Sequence, residues 1–115
     1  MKFKQFTSLF LFFTLSLLFA CKKESVTTCD TSNVTYTNHI KSLFATCAVS
    51  GCHDAKAVEG SLASYQDIKN FPKLLKIIPS LKHQVGFVAM PQGQAQLSDC
   101  EISKVQAWFD NAMPE

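Results

Sequence analysis

The stretch Cys47-Ala48-Val49-Ser50-Gly51-Cys52-His53 gathers two thiols and an imidazole within one short turn of chain. Two thiols can add across the two vinyl groups of a haem, and a histidine directly after them can reach the iron. Cys-x-x-Cys-His is the usual spacing for that attachment; here four residues separate the cysteines. The vinyl carbons sit on neighbouring pyrroles, so both sulfurs must come from one tight turn. The imidazole must follow the second sulfur directly. Two added residues lengthen the loop without moving Cys52 relative to His53, and Gly51 admits a left-handed turn at little steric cost. The same residues would also serve as a plain Cys47–Cys52 disulfide with His53 on the surface, or as ligands to a metal such as zinc.

An iron held by His53 needs a second axial ligand, and Met90-Pro91-Gln92-Gly93 supplies the candidate. Proline disfavours helix at the residue before it, so Met90 is expected to be extended and able to project its thioether into a cleft. Methionine is equally a common core filler. His83 is the rival, because a second imidazole would also complete the coordination. His39 is expected to face solvent from the helix before the loop, and Met113 is expected to lie at a frayed C-terminus.

These residues must be positioned by helices. Ile40, Leu43, Phe44 and Cys47 fall on one face of a helix over residues 37–47. Ser64 is a cap for a short helix through Asn70. Phe71-Pro72 opens a helix over residues 73–78, with proline suited to the first turn, and Pro79 is expected to stop it. Residues 82–95 contain Gly86, Pro91 and Gly93, lack a helical period, and read as an extended loop. Ser98-Asp99-Cys100-Glu101 is a capping box. It opens a last helix whose apolar stripe runs through Ile102, Val105, Trp108 or Phe109, and Ala112. No strand and no internal repeat is evident.

Residues 1–20 read as a targeting segment, with Lys2 and Lys4 ahead of an apolar stretch from Thr7 to Phe19. Leu18-Phe19-Ala20-Cys21 resembles a bacterial lipobox, which implies lipidation of Cys21; an ordinary cleaved signal or an uncleaved anchor is the plainer alternative. Acyl chains contribute about 0.8 kcal/mol of membrane affinity per buried CH₂. Residues 21–30 would then be the lipidated cysteine and a polar tether, and 31–115 one small domain. Six of the ten Phe lie in the first 20 residues, so the weakly positive mean hydropathy comes from that segment. Without it, 9 Lys face 9 acidic residues and there is no Arg, which excludes the basic surplus of a nucleic-acid binder. Cys29 and Cys100 remain, and an exported chain can pair them as a disulfide.

The arrangement resembles the small class I c-type cytochromes, and among them the bacterial lipoprotein cytochrome domains. The matching residues are Cys47-Ala48 with Gly51-Cys52-His53, Ser64-Tyr65, Met90-Pro91, Leu97-Ser98 and Trp108. The resemblance implies an all-α, cytochrome c-like fold of three to four helices around one covalently bound haem c. It implies crossing of the first and last helices, with Phe44 near Trp108 or Phe109, and Met90 as distal ligand. A Met/His pair raises the potential relative to His/His. With both axial positions filled, single-electron transfer is expected rather than catalysis, through brief docking to a redox partner protein. Lys69, Lys73, Lys76 and Lys82 could face an acidic partner or simply be solvated. The expected location is a bacterial membrane, by a lipid anchor that is periplasm-facing or in the outer membrane. Two alternatives stay open. One is a haem-free, disulfide-stapled lipoprotein acting as a binding or structural module. The other is a haem or metal enzyme, disfavoured by the lack of a second haem site or a further catalytic cluster.

Overall fold

The structure is a computed structural model and describes residues 28–115. The targeting segment, Cys21 and most of the expected tether lie outside the described residues.

The first helical element is nucleated by Thr35. Its hydroxyl accepts from the Asn38 N–H at 3.2 Å, and the Asn38 side chain accepts from the Thr35 N–H at 2.7 Å. This reciprocal cap satisfies two donors that a helix start leaves without partners. A π-helical turn, Tyr36–Ile40, follows and continues as α1, Lys41–Ala45. The predicted helix over 37–47 is thus shorter at its end. Thr46 and Cys47 close it with tight turns, donating to Leu43 and Phe44 carbonyls at 3.3 and 2.9 Å. Ile40 and Phe44 are buried, while Leu43 and Cys47 are half-buried against the same core.

Helix α2, Tyr65–Lys69, starts at Ser64, whose side chain accepts from the Asp67 N–H. A 3₁₀ turn, Leu74–Lys76, leads into α3, Ile77–Leu81. Here the expectation that Pro79 ends the helix is corrected. Pro79 is the third residue of α3, in the first turn, where backbone N–H groups have no intrahelical partner to lose. The helix ends at Leu81 instead, in a Schellman turn in which His83 donates to Ser80 at 3.1 Å and Gln84 to Pro79 at 3.0 Å. Residues 82–95 form turns and irregular chain rather than a simple extended loop.

Helix α4, Asp99–Asp110, carries the predicted capping box between Ser98 and Glu101. It buries Ile102, Val105 and Trp108, leaving Phe109 half-buried. Trp108 is therefore the core aromatic of the stripe. α4 packs against the π-helical turn and against α3. Its own Schellman turn places Ala112 at φ 60, with Met113 donating to the Trp108 carbonyl at 2.9 Å.

Met113 is not frayed as expected. Its carbonyl accepts from the Tyr65 hydroxyl at 2.8 Å, and the Pro114 carbonyl accepts from both the Trp108 indole at 2.8 Å and the Tyr36 N–H at 2.9 Å. The Glu115 carbonyl accepts from the Thr37 N–H at 3.0 Å. The tail thus supplies acceptors to first-turn donors of the opening helix, which is why it is fixed. A disulfide joins Cys29 to Cys100, with Cα atoms 5.4 Å apart, and ties the chain ahead of the first helix to the start of α4. Among the described residues the molecule is helical and contains no strand.

Candidate functional site

The loop after α1 is held by its own backbone. Cys52 donates to the Val49 carbonyl at 3.0 Å, and His53 donates to the Cys47 carbonyl at 3.1 Å. That second bond closes the seven-residue stretch and brings its first and last members together. Gly51 turns the chain at φ 82, inside the left-handed region expected for it. Both thiols are free; Cys47 is half-buried and Cys52 exposed. Burial pushes the Cys47 thiol up from its ordinary value, opposed in part by its contact with the Thr46 hydroxyl at 3.9 Å.

His53 is fixed on three sides. Its N–H is bonded within the loop, its carbonyl accepts from the Leu62 N–H at 2.9 Å, and its ring Nδ1 lies 2.9 Å from the Gly60 carbonyl. A carbonyl can only accept, so Nδ1 donates, and in the neutral ring Nε2 is then the nitrogen with the lone pair. This is the arrangement that metal-bound histidines show, where the second ring nitrogen donates to an outer partner and sets the orientation. The Phe71 ring packs against the imidazole edge-on, 5.7 Å between centroids.

Gly60 makes this possible and was not among the residues picked out by sequence. Its φ is +113, and a Cβ there would come within 2.5 Å of the Phe71 ring. The loop leading to it is short-range: Asp54 Oδ1 accepts from Lys56 N–H at 3.0 Å, and Ala57 donates to Asp54 at 3.0 Å. Nothing in the sequence marks Gly60 as a partner of His53, because the group used is a backbone carbonyl that every residue carries.

Met90 is half-buried and packs against the core cluster that also receives Cys47 and Phe71. Its N–H donates to the Ser80 carbonyl at 3.1 Å, and its carbonyl faces His83 Nε2 at 3.1 Å. His83 is half-buried with its Nε2 engaged in that bond. His39 is half-buried rather than fully solvent-facing, its Nδ1 2.6 Å from the Asn38 side chain. An open groove of about 390 Å³ runs past Gly51, Cys52, Asp54, Lys56 and Val58. A second groove, of about 280 Å³ between α1 and α4, contains neither cysteine of the loop nor His53. Among the described residues, no three His, Cys, Asp or Glu side chains converge as a set for a metal ion.

One member of the lysine stretch has an acidic partner. Lys73 pairs with Glu59, whose carboxyl is held below its usual range by that hydrogen bond and charge. Lys69 lies over the Tyr65 ring, 5.1 Å from its centroid. Among the described residues, no helix is long and apolar enough to cross a membrane. Comparison with known proteins returns no matching family model, no matching curated protein and no matching solved structure.

Proposed function

We propose that the chain is a membrane-anchored c-type cytochrome that passes single electrons through one covalently attached haem, in a cytochrome c-like fold. The observation that carries this reading is the Nδ1–H of His53 held on the Gly60 carbonyl beside two free thiols. A structural surface histidine has no need of a fixed tautomer with Nε2 left open. A plain disulfide loop has no need of a glycine pressed against the ring that packs on that histidine.

The donor set suits a haem: Cys47 and Cys52 would hold the porphyrin by thioethers, and His53 through Nε2 and Met90 through its thioether would bind the iron. When bound, the haem supplies a one-electron couple, tuned by its axial ligands and by burial. The chain's own part is to orient. The α1 terminus and the closed loop fix the thiols, Gly60 and Phe71 fix the imidazole, and the core under Met90 carries its backbone. Val49, Val58, Val85 and Val88 are exposed apolar side chains of the two loops. They fit the small, short-lived contacts of redox partners better than a permanent interface. The Cys29–Cys100 disulfide suits an oxidising, exported setting, in keeping with lipidation at Cys21.

The test is a pyridine haemochrome spectrum of protein made with haem-maturation machinery, followed by Met90→Ala. A c-type spectrum is expected, and Met90→Ala turns a low-spin haem high-spin and opens it to rapid carbon monoxide binding. A colourless, exported protein rejects the reading in favour of a haem-free stapled module.

A further inference from the structure

We propose that His83 is a positioning residue: its ring holds the Met90 backbone so that the thioether is presented to the iron, and it is not a ligand itself. The inference rests on the electron-carrier reading and deepens it. In a Schellman turn the residue after the cap adopts a left-handed conformation and is usually glycine, sometimes asparagine. Here that position is His83, at φ 49. A non-glycine residue in this region carries a backbone cost, though histidine enters it more readily than most, and a tertiary contact helps to hold it there.

The ring provides the reason. Nε2 lies 3.1 Å from the Met90 carbonyl, which can only accept, so the proton sits on Nε2. The Met90 N–H is bonded to the Ser80 carbonyl at 3.1 Å, and Ser80 also accepts from His83 at 3.1 Å. Both backbone polar groups of Met90 are therefore tied to the end of α3, one to Ser80 within it and one to His83 just past it. Between these ties, residues 84–89 are all exposed. No buried side chain props the loop, so its placement depends on the hydrogen bonds at its neck. Coordination of iron through His83 Nε2 would strip the Met90 carbonyl of its partner and release the loop. Nδ1, beside the Cβ, is the more hindered nitrogen. The two residues thus form one device, with the imidazole setting the backbone and the thioether left free to bind.

The test compares His83→Gly with His83→Gln in the matured, full-length protein. Glycine relieves the backbone strain and removes the donor. Glutamine keeps the strain and carries an N–H donor at similar reach. The readouts are the methionine–iron signature by magnetic circular dichroism and the rate at which carbon monoxide enters the ferrous protein. His83→Gly is expected to weaken the methionine signature and speed carbon monoxide binding about five-fold, the scale of one lost hydrogen bond. His83→Gln stays near the parent. Equal behaviour of both variants, fast or slow, overturns the positioning role, because the donor then makes no difference. A parent spectrum of bis-histidine type that His83→Gly converts to high-spin makes His83 the ligand and also overturns it. A parent mass without haem overturns the electron-carrier reading itself, and this is seen before any variant is compared.

Discussion

Gly60 serves His53 twice, once by a carbonyl and once by the side chain it lacks. The carbonyl orients the imidazole at 2.9 Å, and the missing Cβ lets Phe71 close over the site. Gly60→Ala combines a positive φ with a 2.5 Å approach to the ring, so Phe71 must shift. The substitution is expected to cost about 1–3 kcal/mol. Urea unfolding checks the cost; the acceptor is a backbone carbonyl that alanine keeps, so imidazole nitrogen shifts of His53 are expected still to show a protonated Nδ1. A stability equal to the parent's would show that the close approach of Phe71 to Gly60 does not constrain the residue there. At this scale the thiols and His53 could be singled out from the sequence, because the proposed attachment would demand those residue types at a fixed spacing, and the structure places them on one closed loop. Gly60 was hidden because its contribution is a backbone oxygen, and the engagement of His83 was hidden because its partner is one as well.

Helix starts were easier to read than helix ends. Ser64 and Ser98 announced their caps, since a hydroxyl three residues ahead of a carboxylate has a known local use. Thr35 did the same work with Asn38 in place of the acid and escaped notice. The end of α3 was misjudged because proline in a first turn costs no hydrogen bond, and both Schellman turns use His83 and Ala112 where glycine would have been a signal. The α4 cap makes a pH prediction. The Ser98 hydroxyl and N–H both donate to Glu101 Oε2, at 2.6 and 2.9 Å, and hold that carboxyl below its usual range. A lowered folded pKa means that the contribution is fully present above the ordinary carboxylate range and is lost as pH falls through the folded value. Glu101→Gln is therefore expected to flatten the acid limb of a stability–pH profile, with little change in slope near neutrality. Thermal midpoints measured across that range test it; an acid limb of unchanged steepness contradicts it.

Long-range ties give the molecule its form, and these were only partly open to sequence. Counting cysteines left Cys29 and Cys100 as natural partners, whereas the docking of the tail carbonyls on Tyr36, Thr37 and Trp108 involves backbone acceptors that no pattern marks. The all-helical class was legible from periodicity, since Ile40, Phe44, Ile102, Val105 and Trp108 all fall inside as their stripes require. The disulfide spans a sequence separation of 71. Replacing both cysteines with serine is expected to cost about 4 kcal/mol by the chain-entropy estimate for a loop of that length. Chemical denaturation of the double variant checks this, and a cost near zero would place the tail and core, not the bridge, in charge of holding α4 to the start of the domain. Cys47 and Cys52 are proposed to grip a porphyrin whose iron His53 binds. Intact mass spectrometry of denatured, matured protein tests it most directly: one haem is expected to remain on the chain and to be lost when both cysteines become serine. The mass of bare polypeptide from properly matured parent protein would contradict it.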